Sequence, residues 1–186
     1  MITSFRAHKA GIYRIKQSPY NNGYVATASY DKTVNIWTPS SSLSNSDNWT
    51  LIQTYTGHSD KVYGLEFVNI DTVASGSDDR TIQIWTISTG DNLMTINTEN
   101  NVYALQLLSN GIFLASGLSS ATINIYDVNT GDLIETLYGH TGYVNDLILM
   151  GVDLLASSSE DNSIRIWNLT SNTNVFNLTE NTENTY

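Results

Sequence analysis

Apolar residues recur along this chain in short runs that alternate with polar ones, the period of a strand with one buried face. VYGLEF (62–67), VYALQL (102–107) and VNDLILM (144–150) open three such stretches. TVASGS, FLASG and LLASSS follow them, then TIQIW, TINIY and SIRIW, then DNLMTI, DLIETL and NVFNL. Clusters of Gly, Asn, Asp and Ser separate the runs, as turns between short strands require. No window has the spacing of an amphipathic helix. The pattern predicts an all-β chain.

The runs repeat as a set. ATASYDKTVNIW (26–37), ASGSDDRTIQIW (74–85), ASGLSSATINIYD (115–127) and ASSSEDNSIRIW (156–167) align, with Trp37, Trp85, Tyr126 and Trp167 in register. The aromatics lie 48, 41 and 41 residues apart. A second block precedes each: HKAGIYRI (8–15), HSDKVYGL (58–65), TENNVYAL (98–105) and HTGYVNDL (140–147). Four strands per period of about 40 residues describe one blade of a β-propeller. The fold expected is therefore a propeller of four-stranded antiparallel blades, four of them present, as one domain over 1–186. The repeats fall at approximately 1–37, 49–85, 92–126 and 133–167, with an outer strand of the last blade at about 173–180 and a frayed tail at 181–186.

The Gly-His start, the Ala-Ser-Gly-Ser strand, the turn Asp and the closing Trp resemble the WD-repeat β-propeller family. The resemblance covers nearly the whole chain. The usual Trp-Asp pair survives only as Tyr126-Asp127. The resemblance implies a buried hydrogen-bond chain in each blade, from the Trp indole to a Ser or Thr hydroxyl, to His, to Asp. The sets are His8, Thr27, Asp31 and Trp37; His58, Ser75, Asp79 and Trp85; and His140, Ser157, Asp161 and Trp167. A single set would suggest a Ser-His-Asp enzyme. A copy in three blades argues for structure, so no catalytic residue is expected. In the third repeat Thr98, Ser116, Ser120 and Tyr126 occupy these places, and apolar packing by Val102, Leu105, Leu107, Leu114, Ile123 and Ile125 is expected to hold that blade instead.

Charge narrows the partners. The chain carries 8 Lys+Arg against 18 Asp+Glu, and residues 94–186 hold Arg165 alone against ten acids. A nucleic-acid binder needs a basic stripe, so none is expected to bind. The chain has no cysteine, which excludes disulfides and thiol chemistry, and the three His are committed to the tetrads, so neither a metal nor a cofactor is expected. No apolar run approaches the roughly 20 residues of a membrane span, and the first residues lack the apolar core of a signal peptide. A cytoplasmic or otherwise intracellular location, away from membranes, follows as the expectation.

By resemblance, partners dock around the propeller channel. The positions implied are Tyr13 and Tyr30; Lys61, Tyr63 and Asp78; Asn101 and Tyr103; and Tyr143, Asn145 and Glu160. Tyrosine gives rigid contact area with a polar tip, and Asp78 and Glu160 add negative charge. The function expected is a non-catalytic scaffold or adaptor binding a protein or peptide, as a basic or apolar extended segment. A propeller-based enzyme and a regulatory or sensor module of a larger protein are the alternatives. The segment 38–50 reads as a flexible loop, and residues 2–5 align with an outer strand. Four blades fit an excerpt of a longer array, a dimer of half rings or a closed four-bladed ring. Open blade ends would expose Ile12, Ile15, Leu147 and Leu149 and promote self-association.

Overall fold

The computed structural model describes residues 6–39 and 49–179. Among them are sixteen β-strands and no helix. The first sheet takes β1 (Ile12–Gln17), β2 (Val25–Ser29), β3 (Val34–Pro39) and β4 (Trp49–Tyr55). The second takes β5 (Val62–Phe67), β6 (Thr72–Ser77), β7 (Thr81–Thr86) and β8 (Asn92–Asn97). The third takes β9 (Val102–Leu107), β10 (Phe113–Leu118), β11 (Thr122–Asp127) and β12 (Leu133–Tyr138). The fourth takes β13 (Val144–Met150), β14 (Leu154–Ser159), β15 (Ser163–Asn168) and β16 (Thr173–Thr179). In every sheet each strand lies beside its neighbour in the chain. These are the four antiparallel four-stranded blades that the alternation predicts.

The chain forms two compact units, Met1–Leu105 and Gln106–Tyr186. The core of the first includes Val34, Ile36, Val62, Leu65, Phe67, Val73 and Trp85. Tyr55, closing the first sheet, lies flat on Trp85 of the second, with centroids 4.4 Å apart and planes 1° from parallel. Such offset rings add to burial. The small residue of the second strand is a seat for a neighbour. A Cβ on Gly76 would overlap the Val102 side chain, and one on Gly64 would lie 2.9 Å from Leu105 Cγ. In the second unit a Cβ on Gly117 would lie 2.8 Å from both Val144 Cγ1 and Val144 O. The core there is built by Leu114, Leu118, Ile123, Leu137, Val144, Leu155 and Trp167. Of the residues expected to hold the third sheet, Val102, Leu105, Leu114, Ile123 and Ile125 are buried, while Leu107 is only half-buried.

Every closing aromatic sits at a register shift against the outer strand, at Ile36/Trp37, Ile84/Trp85, Ile125/Tyr126 and Ile166/Trp167. A bulge inserts one unpaired residue and re-aims the side chain beside it. Another shift, between Val144 and Asp146, corrects the expectation for β13. Leu147 is buried, not exposed, and Ile148 is the residue that faces outward at 62%. Simple alternation from Val144 misses this because the bulge restarts the period. Ile12 and Ile15 are exposed as expected, at 51% and 68%.

The loop expected over 38–50 is corrected at its two ends. Thr38 pairs with Thr50 and Pro39 with Trp49, so both ends belong to strands. Residues 40–48, the outer-strand reading of residues 2–5 and the frayed-tail reading of 181–186 lie outside the described residues.

The turns joining second to third strands place Lys32, Arg80, Ala121 and Asn162 at φ of 73°, 64°, 65° and 64°. Asparagine tolerates this left-handed region, whereas alanine is penalised there by its Cβ. Ala121→Gly is therefore expected to stabilise the protein by about 0.5–1 kcal/mol, after the entropy cost of glycine is subtracted. A higher urea midpoint with an unchanged slope is the predicted reading.

Candidate functional site

Three sheets carry the same buried polar chain. The Trp37 indole donates to Thr27 Oγ1 at 2.9 Å, which lies 2.7 Å from His8 Nε2, and His8 Nδ1 lies 3.1 Å from Asp31 Oδ2. In the second sheet the distances are 3.1 Å from Trp85 to Ser75, 2.8 Å from Ser75 to His58 and 2.8 Å from His58 to Asp79. In the fourth they are 2.8 Å from Trp167 to Ser157, 2.7 Å from Ser157 to His140 and 2.7 Å from His140 to Asp161. The donors impose one direction. The indole N–H can only donate, so the hydroxyl passes its own proton to Nε2, and Nδ1–H donates to the carboxylate. This fixes one neutral imidazole tautomer. All three His side chains are fully buried, and Ser75 is too. No group of three or more His, Cys, Asp or Glu among the described residues is placed to hold a metal ion.

The sequence reading missed half of each network. Two residues before each Asp, the hydroxyls of Ser29, Ser77 and Ser159 accept the Asp amide at 3.1, 3.0 and 3.1 Å. Two residues after it, the hydroxyls of Thr33, Thr81 and Ser163 donate to Asp Oδ1 at 2.6, 2.7 and 2.6 Å. The amides of Lys9, Ser59 and Thr141 donate to Oδ2 at 2.8, 3.0 and 3.0 Å. The signal was present as SYDKT, SDDRT and SEDNS. The third repeat reads LSSAT there. Its Ser116 hydroxyl turns to the Asn124 carbonyl at 3.2 Å, and Tyr126 Oη accepts from Asn124 Nδ2 at 2.9 Å. Ser120 pairs locally with Thr122 at 2.7 Å. Thr98 donates to the carbonyls of Arg80 and Asn100 at 2.9 and 2.7 Å.

These contacts set the charges. Burial acts to raise the Asp31 carboxyl, but the Thr33 hydroxyl, the Lys9 amide and the His8 ring beside it outweigh it and bring it down to about 2. Asp79 and Asp161 are likewise opposed by burial and still held well below the usual carboxylate range, chiefly by hydrogen bonds from His58 and Thr81, and from Ser163 and the Thr141 amide. Burial lowers His140 below its ordinary value, against the pull of Asp161. All four folded values are depressed, so their stabilisation is complete above the unfolded values and fades as pH falls toward the folded ones. The urea midpoint is expected to fall gently below about pH 6.5, where an unfolded His protonates, and steeply from about pH 4 toward 2. His140→Gln removes its share of the gentle slope, read by melts at pH 7 and 5.

The second candidate is a tyrosine cluster on the first unit. Tyr13 stacks near Tyr30 at 5.8 Å, and Tyr63 meets the edges of Tyr13, Tyr30 and Tyr103 at 4.6, 5.5 and 5.1 Å. The Lys61 ammonium lies 5.3 Å from the centre of the Tyr30 ring, a cation–π distance. Tyr13 and Tyr30 are exposed, whereas Tyr63 is buried, a correction to its expected place at an exposed rim. Tyr63 is held down because its hydroxyl donates to Asp78 Oδ2 at 3.0 Å, and Asn101 Nδ2 donates to Asp78 Oδ1 at 2.9 Å. Burial first, then this bond and the Asp78 charge, push the Tyr63 hydroxyl well above its ordinary value. Asp78 thus spends both oxygens inside the cluster, and Lys61 beside the rings is exposed. In the second unit Tyr143 is exposed, Asn145 half-buried and Glu160 exposed.

Four-stranded meandering sheets, each closed by an aromatic at a bulge and three of them tied by one Trp–hydroxyl–His–Asp chain, are the blades of a β-propeller-type repeat protein. A family model described as WD domain, G-beta repeat matches residues 1–38, 49–86 and 131–168, more than half of the chain and each repeat that holds a complete tetrad. The chain belongs to the WD-repeat family. It is 30% identical over 154 residues to Protein SUPPRESSOR OF PHYA-105 1 of Arabidopsis thaliana, covering 81% of this chain and 14% of that protein. It is 29% identical over 154 residues to Protein SPA1-RELATED 3 of the same plant, covering 81% of this chain and 17% of the relative. Over 74 residues it is 36% identical to a U4/U6 small nuclear ribonucleoprotein PRP4-like protein of Arabidopsis thaliana, covering 39% of this chain and 12% of that one. The chain thus spans less than a fifth of these relatives' length. Among the described residues no helix is long and apolar enough to cross a membrane.

Proposed function

We propose that this chain is a non-catalytic, intracellular WD-repeat scaffold that binds other proteins through the tyrosine cluster of its first unit. The observation that carries the reading is the pair of exposed rings, Tyr13 and Tyr30, braced from below by buried Tyr63 and its bonded Asp78. Braced aromatics contribute contact area with little entropy left to lose. With Asp78 engaged and Lys61 outermost, an extended apolar segment with acidic residues fits this surface, which keeps the apolar alternative of the basic or apolar segment expected from sequence and replaces the basic one. The repetition of the tetrads and the burial of their hydroxyls support the non-catalytic reading.

The test is a co-purification from cells with the double variant Tyr13→Ala, Tyr30→Ala. A melt within about 0.5 kcal/mol of the parent with partner retention lowered at least tenfold is expected. Full retention of the same partners overturns the reading. An enzymatic activity abolished by His140→Gln at unchanged stability would overturn the non-catalytic part. Exposed Ile12 and Ile15 on the first unit, and Ile148 and Ile164 on the second, support self-association. Sedimentation over a concentration series, in about 0.15 M salt to screen the negative charge, is expected to show a rising mass.

A further inference from the structure

The second unit contains a crevice of about 280 Å³ at the end of its sheets where β13 turns into β14. At ~30 Å³ per water this equals roughly nine waters, room for one large apolar side chain. Its walls are Leu108, Phe113, Ile134, Val152 and Leu169, and two carboxylates, Glu135 and Asp153, stand among them. Ile134 and Val152 keep about half or more of their surface in water, at 49% and 68%.

The two carboxylates differ in how they are held. Glu135 is fixed, with the Thr136 amide on Oε1 at 3.1 Å and Asn172 Nδ2 on Oε2 at 2.9 Å. Asp153 is not. Its counterpart in the second sheet, Asp71, accepts the Ser88 amide at 2.9 Å and the Ser88 hydroxyl at 2.6 Å. The backbone around both is alike, since Ile87 N donates to Asp71 O at 2.7 Å and Leu169 N to Asp153 O at 2.8 Å. In the fourth sheet, however, the residue in the place of Ser88 is Thr170, and its amide goes to Asn168 Oδ1 at 2.9 Å instead. The Asp153 carboxylate is exposed and makes no hydrogen bond or ion pair among the described residues. Arg165 is the sole cationic side chain from residue 106 onward, and its guanidinium lies against Gly139, 2.8 Å from where a Cβ would stand.

We propose that this crevice docks a partner peptide segment in which a large apolar residue is flanked by arginine or lysine. The apolar side chain fills the space between Leu108, Phe113 and Leu169, displacing water from Ile134 and Val152. The flanking cation meets Asp153 and Glu135. The crevice shares no residue with the tyrosine cluster, so either surface can fail without the other.

The experiment is a titration of the isotope-labelled chain with a capped hexapeptide, one leucine between two arginines in a glycine–serine background, followed by amide chemical shifts. Shifts confined to the segments around Leu108, Ile134, Val152 and Leu169 are expected. Asp153→Asn and Val152→Ser, both in an exposed turn, are expected to weaken binding about three- to five-fold each, and higher salt to weaken it further. A glutamate-flanked peptide that binds equally overturns the charge requirement. A peptide with serine in place of leucine that binds equally overturns the apolar one. Shifts scattered over the surface, or no response to either substitution, overturn the site.

Discussion

Asp79→Ala is expected to lower stability by about 1–3 kcal/mol, while Ser120→Ala, at the aligned position of the third repeat, costs well under that. Asp79 is the end of a chain with no slack. It takes His58 Nδ1–H, the Thr81 hydroxyl, the Thr81 amide and the Ser59 amide. Its removal strands a buried imidazole proton and loosens the loop that places His58. Among the described residues the Ser120 side chain has an exposed contact with Thr122. Urea melts of the two variants decide the matter, and equal midpoint shifts would show that the tetrad does not hold the blade. Because Asp79 titrates well below the usual range, its stabilisation is present above about pH 4 and lost as pH falls. The gap between Asp79→Ala and parent is therefore expected to narrow in acid.

Gly76→Ala is expected to cost about 1–3 kcal/mol, the range of overpacking in a well-filled core. The new methyl meets the Val102 side chain in the adjoining sheet. Val102 is fully buried, so it has nowhere to retreat. Ser158, at the aligned position of β14, already carries a Cβ and is half-buried, and Ser158→Ala is expected to stay within about 0.5 kcal/mol. Val102→Ala trims the clashing methyls, so the double variant is expected to be less damaged than the sum of the singles. Strict additivity in that cycle would refute the close fit.

Most of this molecule was legible in its chain because strand alternation, turn residues and the repeating His, Asp and Trp are local signals. What escaped depends on register or on partners distant in sequence. The bulge between Val144 and Asp146 reverses which of Leu147 and Ile148 faces inward, and bulges leave little mark on composition. Tyr63 looked like an exposed rim residue because nothing local foretells that Asp78 will capture its hydroxyl. The serines and threonines flanking each turn Asp were visible as a recurring pattern, yet short polar residues in turns are common enough to pass as solvated. The difference between Asp71 and Asp153 hangs on Ser88 against Thr170, a change that alters one hydrogen-bond donor's destination and hardly alters polarity.

The glycine seat has a genetic consequence. Gly76 receives Val102, and Gly117 receives Val144, each pair spanning one repeat boundary. Socket and knob are thus encoded at a nearly constant offset, 26 residues in one pair and 27 in the other, and the third repeat carries one of each, Val102 and Gly117. An unequal crossover that duplicated or deleted the third repeat would leave each glycine socket facing a matching valine knob. Copy number can then drift over generations without any join having to be reinvented, while a breakpoint inside a repeat orphans both halves and is purged.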